Sequence, residues 1–217
     1  MPRQMPRFDR ELSSQTQSAS RIVMAGEIAH VSGEASLRKA WSVIRLEALY
    51  ELAFLRIFMA WETCLESVFY RSLCGYASSA GQEQLLAGSY FPTLSAAESA
   101  VLGSQNYILW HDPRKVVQRC QKFIKSGVVG CPGLQETVIS SNSARLAYLA
   151  STRHRIVHDQ LDAKRKFDAA SLAIAGRTYA SSRPGKFLRD FDTSSSPPRR
   201  WLEVTILDLE GLARQIV

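Results

Sequence analysis

Between residues 37 and 74 the apolar positions Leu46, Leu49, Tyr50, Phe54, Trp61, Leu65, Val68 and Phe69 recur at helical spacing. Steps of three and four place such residues on one side of an α-helix. Glu47, Glu51, Glu62 and Glu66 fall within an arc of about 100° on an ideal wheel. The pattern predicts a long amphipathic helix, or two with a kink between them, stopped at Gly75. A second run, Leu146, Leu149, Ile156, Val157 and Leu161, predicts a long helix from Asn142 or Ser143, continuing after a break toward Ala175. A third, through Leu202, Ile206, Leu207, Leu209 and Leu212, predicts a final helix over 201–217. Asp112-Pro113 is a helix start, because Asp caps the first turn and Pro fits the first helical position. That helix should reach about Lys125, and Gly127 and Gly130 should break it before a loop at Cys131-Pro132-Gly133.

The intervening stretches are less periodic. Residues 1–20 are polar and read as a flexible lead, with a short helix from about Arg21 to Gly33. Residues 76–111 are punctuated by Gly, Ser and Pro, with a short helix over 95–102 and a candidate strand over 107–110. Residues 178–200 are rich in Ser, Pro and Arg and read as a loop or linker. The resulting organisation is a lead (1–20), a helical domain (21–177), the linker (178–200) and a helix (201–217) packing on the domain. With no repeat and no strand–helix–strand alternation, the fold class is all-α.

Composition narrows the setting. The chain has 217 residues, 46% of them hydrophobic, enough for one domain with a sizeable core. Its most apolar stretch, 52–61, is short for a bilayer and contains Arg56, so no membrane role is expected. The basic N-terminal residues are not followed by an apolar segment, which does not read as a secretory signal, and a cytoplasmic location is expected. Cys64, Cys74, Cys120 and Cys131 form no paired motif and read as packed thiols. A net charge of +7 and a pI of about 9.4 favour a polyanionic partner. The excess is concentrated over 112–125, with Arg114, Lys115, Arg119 and Lys122, and over 153–166. Both stretches are candidate RNA-binding faces, although solvated helix surfaces look the same in sequence.

Phosphate-binding glycine loops, a GxSxG elbow and HExxH are all absent from the sequence. What the chain does carry is Arg153-His154-Arg155-Ile156-Val157-His158 on a predicted helix. RNA supplies its own nucleophile, the 2′-hydroxyl. A His titrating near neutrality can remove that proton or protonate the leaving 5′-oxygen. An Arg can hold the phosphate and offset its developing charge. On an ideal helix Arg153 and His158 lie about 140° apart and about 7.5 Å apart along the axis. One helix therefore supplies few groups, and a two-fold dimer would bring a second set opposite the first.

This string, together with the upstream Ala60-Trp61-Glu62 segment, resembles the HEPN superfamily, whose mark is an Arg, a polar residue, a short spacer and a His. The family commonly has Asn after the Arg and often Gly after the last His, where this chain has His154 and Asp159. The resemblance spans roughly 40–175 and implies a core of four helices, here with additional helices and loops. For many members it implies a homodimer with a composite site and metal-independent endoribonuclease activity in toxins or antiviral defence effectors, some held in check by an antitoxin or regulatory protein. It assigns catalysis to Arg153, His158 and His154, with Glu62 as the acidic neighbour and Arg155 on the RNA, and requires no cofactor. The alternative is a non-catalytic HEPN-like module that binds nucleic acid or a partner protein. His154 and His158 are also spaced to share a metal or to form a polar patch between helices, but no third metal ligand is evident.

Overall fold

The computed structural model describes residues 2–105, 107–125 and 133–217. It is all-α, with small strands: α1 (Phe8–Val31), α2 (Ala35–Ala40), α3 (Val43–Leu73), α4 (Leu94–Leu102), α5 (Pro113–Phe123), α6 (Leu134–Ser141), α7 (Ser143–Val157), α8 (Leu161–Ala175), α9 (Pro184–Arg189) and α10 (Trp201–Ile216). The chain divides into two compact units, one of Met1–Glu11, Trp61–Ala147 and Gly211–Val217, the other of Leu12–Ala60 and Tyr148–Glu210.

In the first unit, the second half of α3 buries Trp61, Leu65, Val68, Phe69 and Leu73, in step with the predicted stripe. Phe69 stands edge-on to Trp110 at 5.5 Å and to Phe123 at 6.2 Å, so the start and end of the α5 region close on one aromatic cluster. Asp112 caps α5 as its sequence predicts, accepting from the Arg114 N–H at 3.0 Å. The buried Gln135 of α6 donates to the Leu65 carbonyl at 2.9 Å, which ties α6 to α3. Gly75 follows α3 at φ 78°, a left-handed turn that only Gly adopts without strain. Beyond it, β2 (Tyr76–Ser78) pairs in parallel with β1 (Arg3–Gln4) and antiparallel with β3 (Gly81–Gln82).

The second unit overturns two expectations. Residues 1–20 are not a loose lead, because α1 runs unbroken from Phe8. Its buried stripe, Leu12, Thr16, Ala19 and Val23, alternates apolar residues with a polar and a small one. Steps of four, three and four put them on one face, and Thr16 satisfies its hydroxyl by donating to Ser13 O at 2.8 Å. Residues 178–200 are not a linker either. They form a 3-10 turn (Ala180–Ser182), α9 and a small hairpin of β4 (Phe191–Asp192) and β5 (Arg199–Arg200). Phe187 is buried between Phe167 at 6.0 Å, Tyr179 at 5.6 Å and Trp201 at 5.8 Å. Gly185 lies directly on α3: a Cβ there would meet the Glu47 carbonyl oxygen at 2.3 Å. Only Gly allows that approach.

Residues 107–110 do not form a strand, and Trp110 instead turns into the aromatic cluster. The break expected within 142–175 falls at 158–160, separating α7 from α8, which ends at Gly176 with φ 67°. The kink expected in 37–74 falls early, between α2 and α3. Helix α6 was not anticipated, and the Cys131-Pro132 part of the predicted loop lies outside the described residues. Among the described residues no helix is long and apolar enough to cross a membrane.

Candidate functional site

The end of α7 lies in the second unit. Leu149 and Thr152 face inward, and Thr152 donates to the Tyr148 carbonyl at 3.1 Å. This fixes the helix one turn before the motif. From Arg153 to Ile156 the side chains are half-buried, and from Val157 onward they are exposed. His158 is the first residue past the helix, yet its N–H still reaches the His154 carbonyl at 2.9 Å. That last helical bond brings the two imidazoles together, with ring centres 4.6 Å apart and planes tilted by 48°.

The two rings sit among charges. Burial comes first, and then the neighbouring His158, Lys166 and Arg153, in holding the His154 imidazolium below its usual range; Asp162 works weakly the other way. A neutral His154 can accept a proton.

Arg155 is more deeply placed than a substrate-facing cation would be, with 14% of its side chain exposed. Its Nε donates to the Ser182 carbonyl at 3.0 Å, and its fork also reaches the His158 carbonyl at 3.2 Å and Asp159 at 3.0 Å. It therefore clasps the turn after α7 against the 3-10 segment. Ser181 and Ser182 both have positive φ, 60° and 47°, a backbone state costly for residues with a Cβ. Ser182 is fixed further by its hydroxyl, which donates to Asp168 at 2.9 Å.

Behind this clasp lie two carboxylates of α3. Glu51 accepts the Gly185 N–H at 2.9 Å, and burial raises its carboxyl pKa against the lowering effects of that bond and of Arg155 and Arg183. Glu47 is buried and ion-paired with Arg183. Sequence reasoning singled out Glu62 as the acidic neighbour. The structure places Glu62 in the first unit, 3.9 Å from His111, whereas Glu47 and Glu51 are the α3 carboxylates in the second unit with Arg155. All four glutamates share one arc of the predicted helix, so the arc was legible.

The α5 cations also divide. Arg114 and Lys115 are exposed, and so is Lys122, whose ammonium lies 5.5 Å from the Phe123 ring. Arg119 lies over Trp110 at 4.5 Å, donates to the Leu109 carbonyl at 3.3 Å and is partly desolvated, which lowers its pKa. Lys115, Gln118, Arg119 and Lys122 line one side of a cavity of about 550 Å³, with Tyr107, 72% exposed, on its rim.

Among the described residues, no group of three His, Cys, Asp or Glu is arranged to hold a metal ion. Cys64 and Cys120 are buried, and burial pushes the Cys64 thiol up to about 12, so neither is an activated nucleophile. The chain matches no protein-family model, no curated protein and no solved structure.

Proposed function

We propose that this chain is a HEPN-type, metal-independent endoribonuclease whose reacting groups are Arg153, His154 and His158. The observation that carries the reading is the close imidazole pair at the end of α7, one ring of which resists protonation. In the proposed reaction a neutral His154 takes the proton of the substrate 2′-hydroxyl. The resulting oxygen attacks the adjacent phosphorus, the bond to the 5′-oxygen breaks, and His158 in its protonated form delivers a proton to that leaving oxygen. Arg153 offsets the charge that develops on the phosphoryl oxygens. The products are a 2′,3′-cyclic phosphate and a 5′-hydroxyl. Arg155 and the α3 carboxylates behind it hold the turn and do not touch substrate.

Two further features support this reading. Val157 and Leu161, both more than half exposed, flank His158 with apolar surface, as a site completed by a second copy of the chain requires. The α5 groove offers Lys115 and Lys122 to phosphates and Tyr107 to a base. A toxin or defence role, kept silent by an antitoxin or regulatory protein, follows from the same resemblance. The test is incubation of the purified chain with total RNA in EDTA, beside an Arg153→Ala control. Cleavage that the substitution abolishes supports the enzyme, whereas intact RNA with binding retained supports the module that only binds.

A further inference from the structure

His158 is the first residue past α7, and it is exposed. Residues at such a place fray, because the helix holds them from one side only. Its backbone is nevertheless held twice: the N–H donates to the His154 carbonyl at 2.9 Å, and the carbonyl accepts from Arg155 at 3.2 Å. The second contact depends on Ser182, whose carbonyl takes the Arg155 Nε–H at 3.0 Å and so fixes the guanidinium. Ser182 is buried and stands with Ser181 in the left-handed region, at φ 47° and 60°. Two consecutive residues with a Cβ adopt that backbone only where contacts around them enforce it. Ser182 has two such contacts: its N–H donates to the Tyr179 carbonyl at 2.8 Å, and its hydroxyl to Asp168 of α8 at 2.9 Å. Among the described residues Ser182 is the sole hydrogen-bond donor to the Asp168 carboxylate, whose other oxygen is buried and accepts nothing.

We propose that Ser182 and Asp168 are positioning residues for His158. Hydrogen bonds run without a gap from Asp168 through the hydroxyl and carbonyl of Ser182 to Arg155, and from Arg155 to the His158 carbonyl, all within the second unit. The strained turn aims the Ser182 carbonyl at α7, Arg155 locks onto it, and the same guanidinium keeps His158 beside His154, ring centres 4.6 Å apart. The role rests on the reading of His158 as the proton donor to the leaving oxygen. A general acid acts only within hydrogen-bond reach of its target, so an imidazole that swings away with a frayed turn is unproductive for most of the time. Neither Ser182 nor Asp168 touches RNA. Backbone strain held one side chain away from a reacting group is the mark of a pre-organised site.

Ser182→Gly separates this role from plain support of the fold. Gly adopts a positive φ without strain, so the urea midpoint should stay near the parent's although the hydroxyl that fixes the turn is gone. The single-turnover cleavage rate at saturating RNA should fall by about 10- to 100-fold, with RNA affinity unchanged. Asp168→Ala should lower the rate alike, and Asp168→Asn, whose side-chain oxygen still accepts from Ser182, should recover most of that loss. A second readout needs no cleavage: a nuclear Overhauser contact between the His154 and His158 ring protons, present in the parent chain and lost in Ser182→Gly and Asp168→Ala. If the parent cuts no RNA but the ring contact is lost in both variants, the proposed function fails and the positioning of His158 stands. A ring contact that survives both substitutions, or a Ser182→Gly protein that cuts RNA at the parent's rate, would overturn the proposal.

Discussion

The end of α7 and the face of α5 look alike in sequence, each a short helix stretch crowded with Arg and Lys, yet the structure treats their cations differently. In each, one Arg is drawn inward to backbone carbonyls, Arg155 onto Ser182 and His158, and Arg119 onto Leu109 beneath Trp110. Around α5 the remaining cations, Arg114, Lys115 and Lys122, stay exposed, the two lysines in one cavity wall with Tyr107. At the end of α7 the side chains next to that clasp are two imidazoles, half-buried His154 and exposed His158, 4.6 Å apart. Guanidinium groups suit the inner positions because they satisfy several carbonyls from one planar fork and tolerate partial desolvation. A basic stretch is thus two populations, and only the outer one is available to a ligand. Under the proposed function, α7 carries chemistry and α5 carries affinity.

Substitutions can separate the two. The largest effect should come from His158→Ala and Arg153→Ala, each lowering the RNA cleavage rate by about 10²–10⁴ while binding persists. His154→Ala should match His158→Ala if it is the base, and single-turnover kinetics will show whether it does. Next is Gly185→Ala, whose added carbon has no room against the Glu47 backbone. It should destabilise the fold by about 1–3 kcal/mol in urea titrations. In the α5 groove, Lys115→Ala and Lys122→Ala should each reduce the slope of log affinity against log salt by about 0.7 for single-stranded RNA, with the single-turnover rate at saturating RNA unchanged. An Arg155→Ala protein should leave that slope alone and lose stability.

The smallest effect concerns pH. His154 is harder to protonate in the folded chain than in the unfolded one. The unfolded state therefore binds the extra proton first, and the stability linked to neutral His154 is complete above the ordinary imidazole range. It is lost as pH falls through that range toward the lowered folded value. The drop in urea midpoint between pH 7 and pH 5.5 should be smaller in His154→Gln than in the parent chain. An identical drop in both would mean that His154 is not held neutral by its surroundings.

Much of the helical framework was legible because α3, α7 and α10 bury large apolar residues at regular spacing, with an explicit stop at Gly75, and because Asp112 and Pro113 mark the start of α5. The helix over 21–31 was expected, but the first half of α1 was read as a lead because its buried stripe uses Ala19 and Thr16, whose burial depends on neighbours and not on their own hydrophobicity. The 178–200 segment has the composition of a linker, and its order comes from Phe187 in an aromatic nest and Gly185 on a helix backbone, both tertiary facts. The same fold-back brings Glu51 of α3 to the Gly185 N–H. Glu47 and Glu51 were visible on the wheel, but nothing in the sequence distinguishes them from Glu62 until Ser182 and Gly185 are in place.

The central claim, metal-independent cleavage through the substrate 2′-hydroxyl, is tested most directly by the ends of the product. A defined RNA should be incubated with the purified chain in EDTA, and the fragments examined by mass spectrometry beside a copy bearing a 2′-O-methyl group at the cut position. The account predicts a 2′,3′-cyclic phosphate and a 5′-hydroxyl on the unmodified RNA, no cleavage of the methylated copy, and loss of both products in Arg153→Ala. A 5′-phosphate product, cleavage of DNA at a comparable rate, or undiminished cutting by His158→Ala would contradict it.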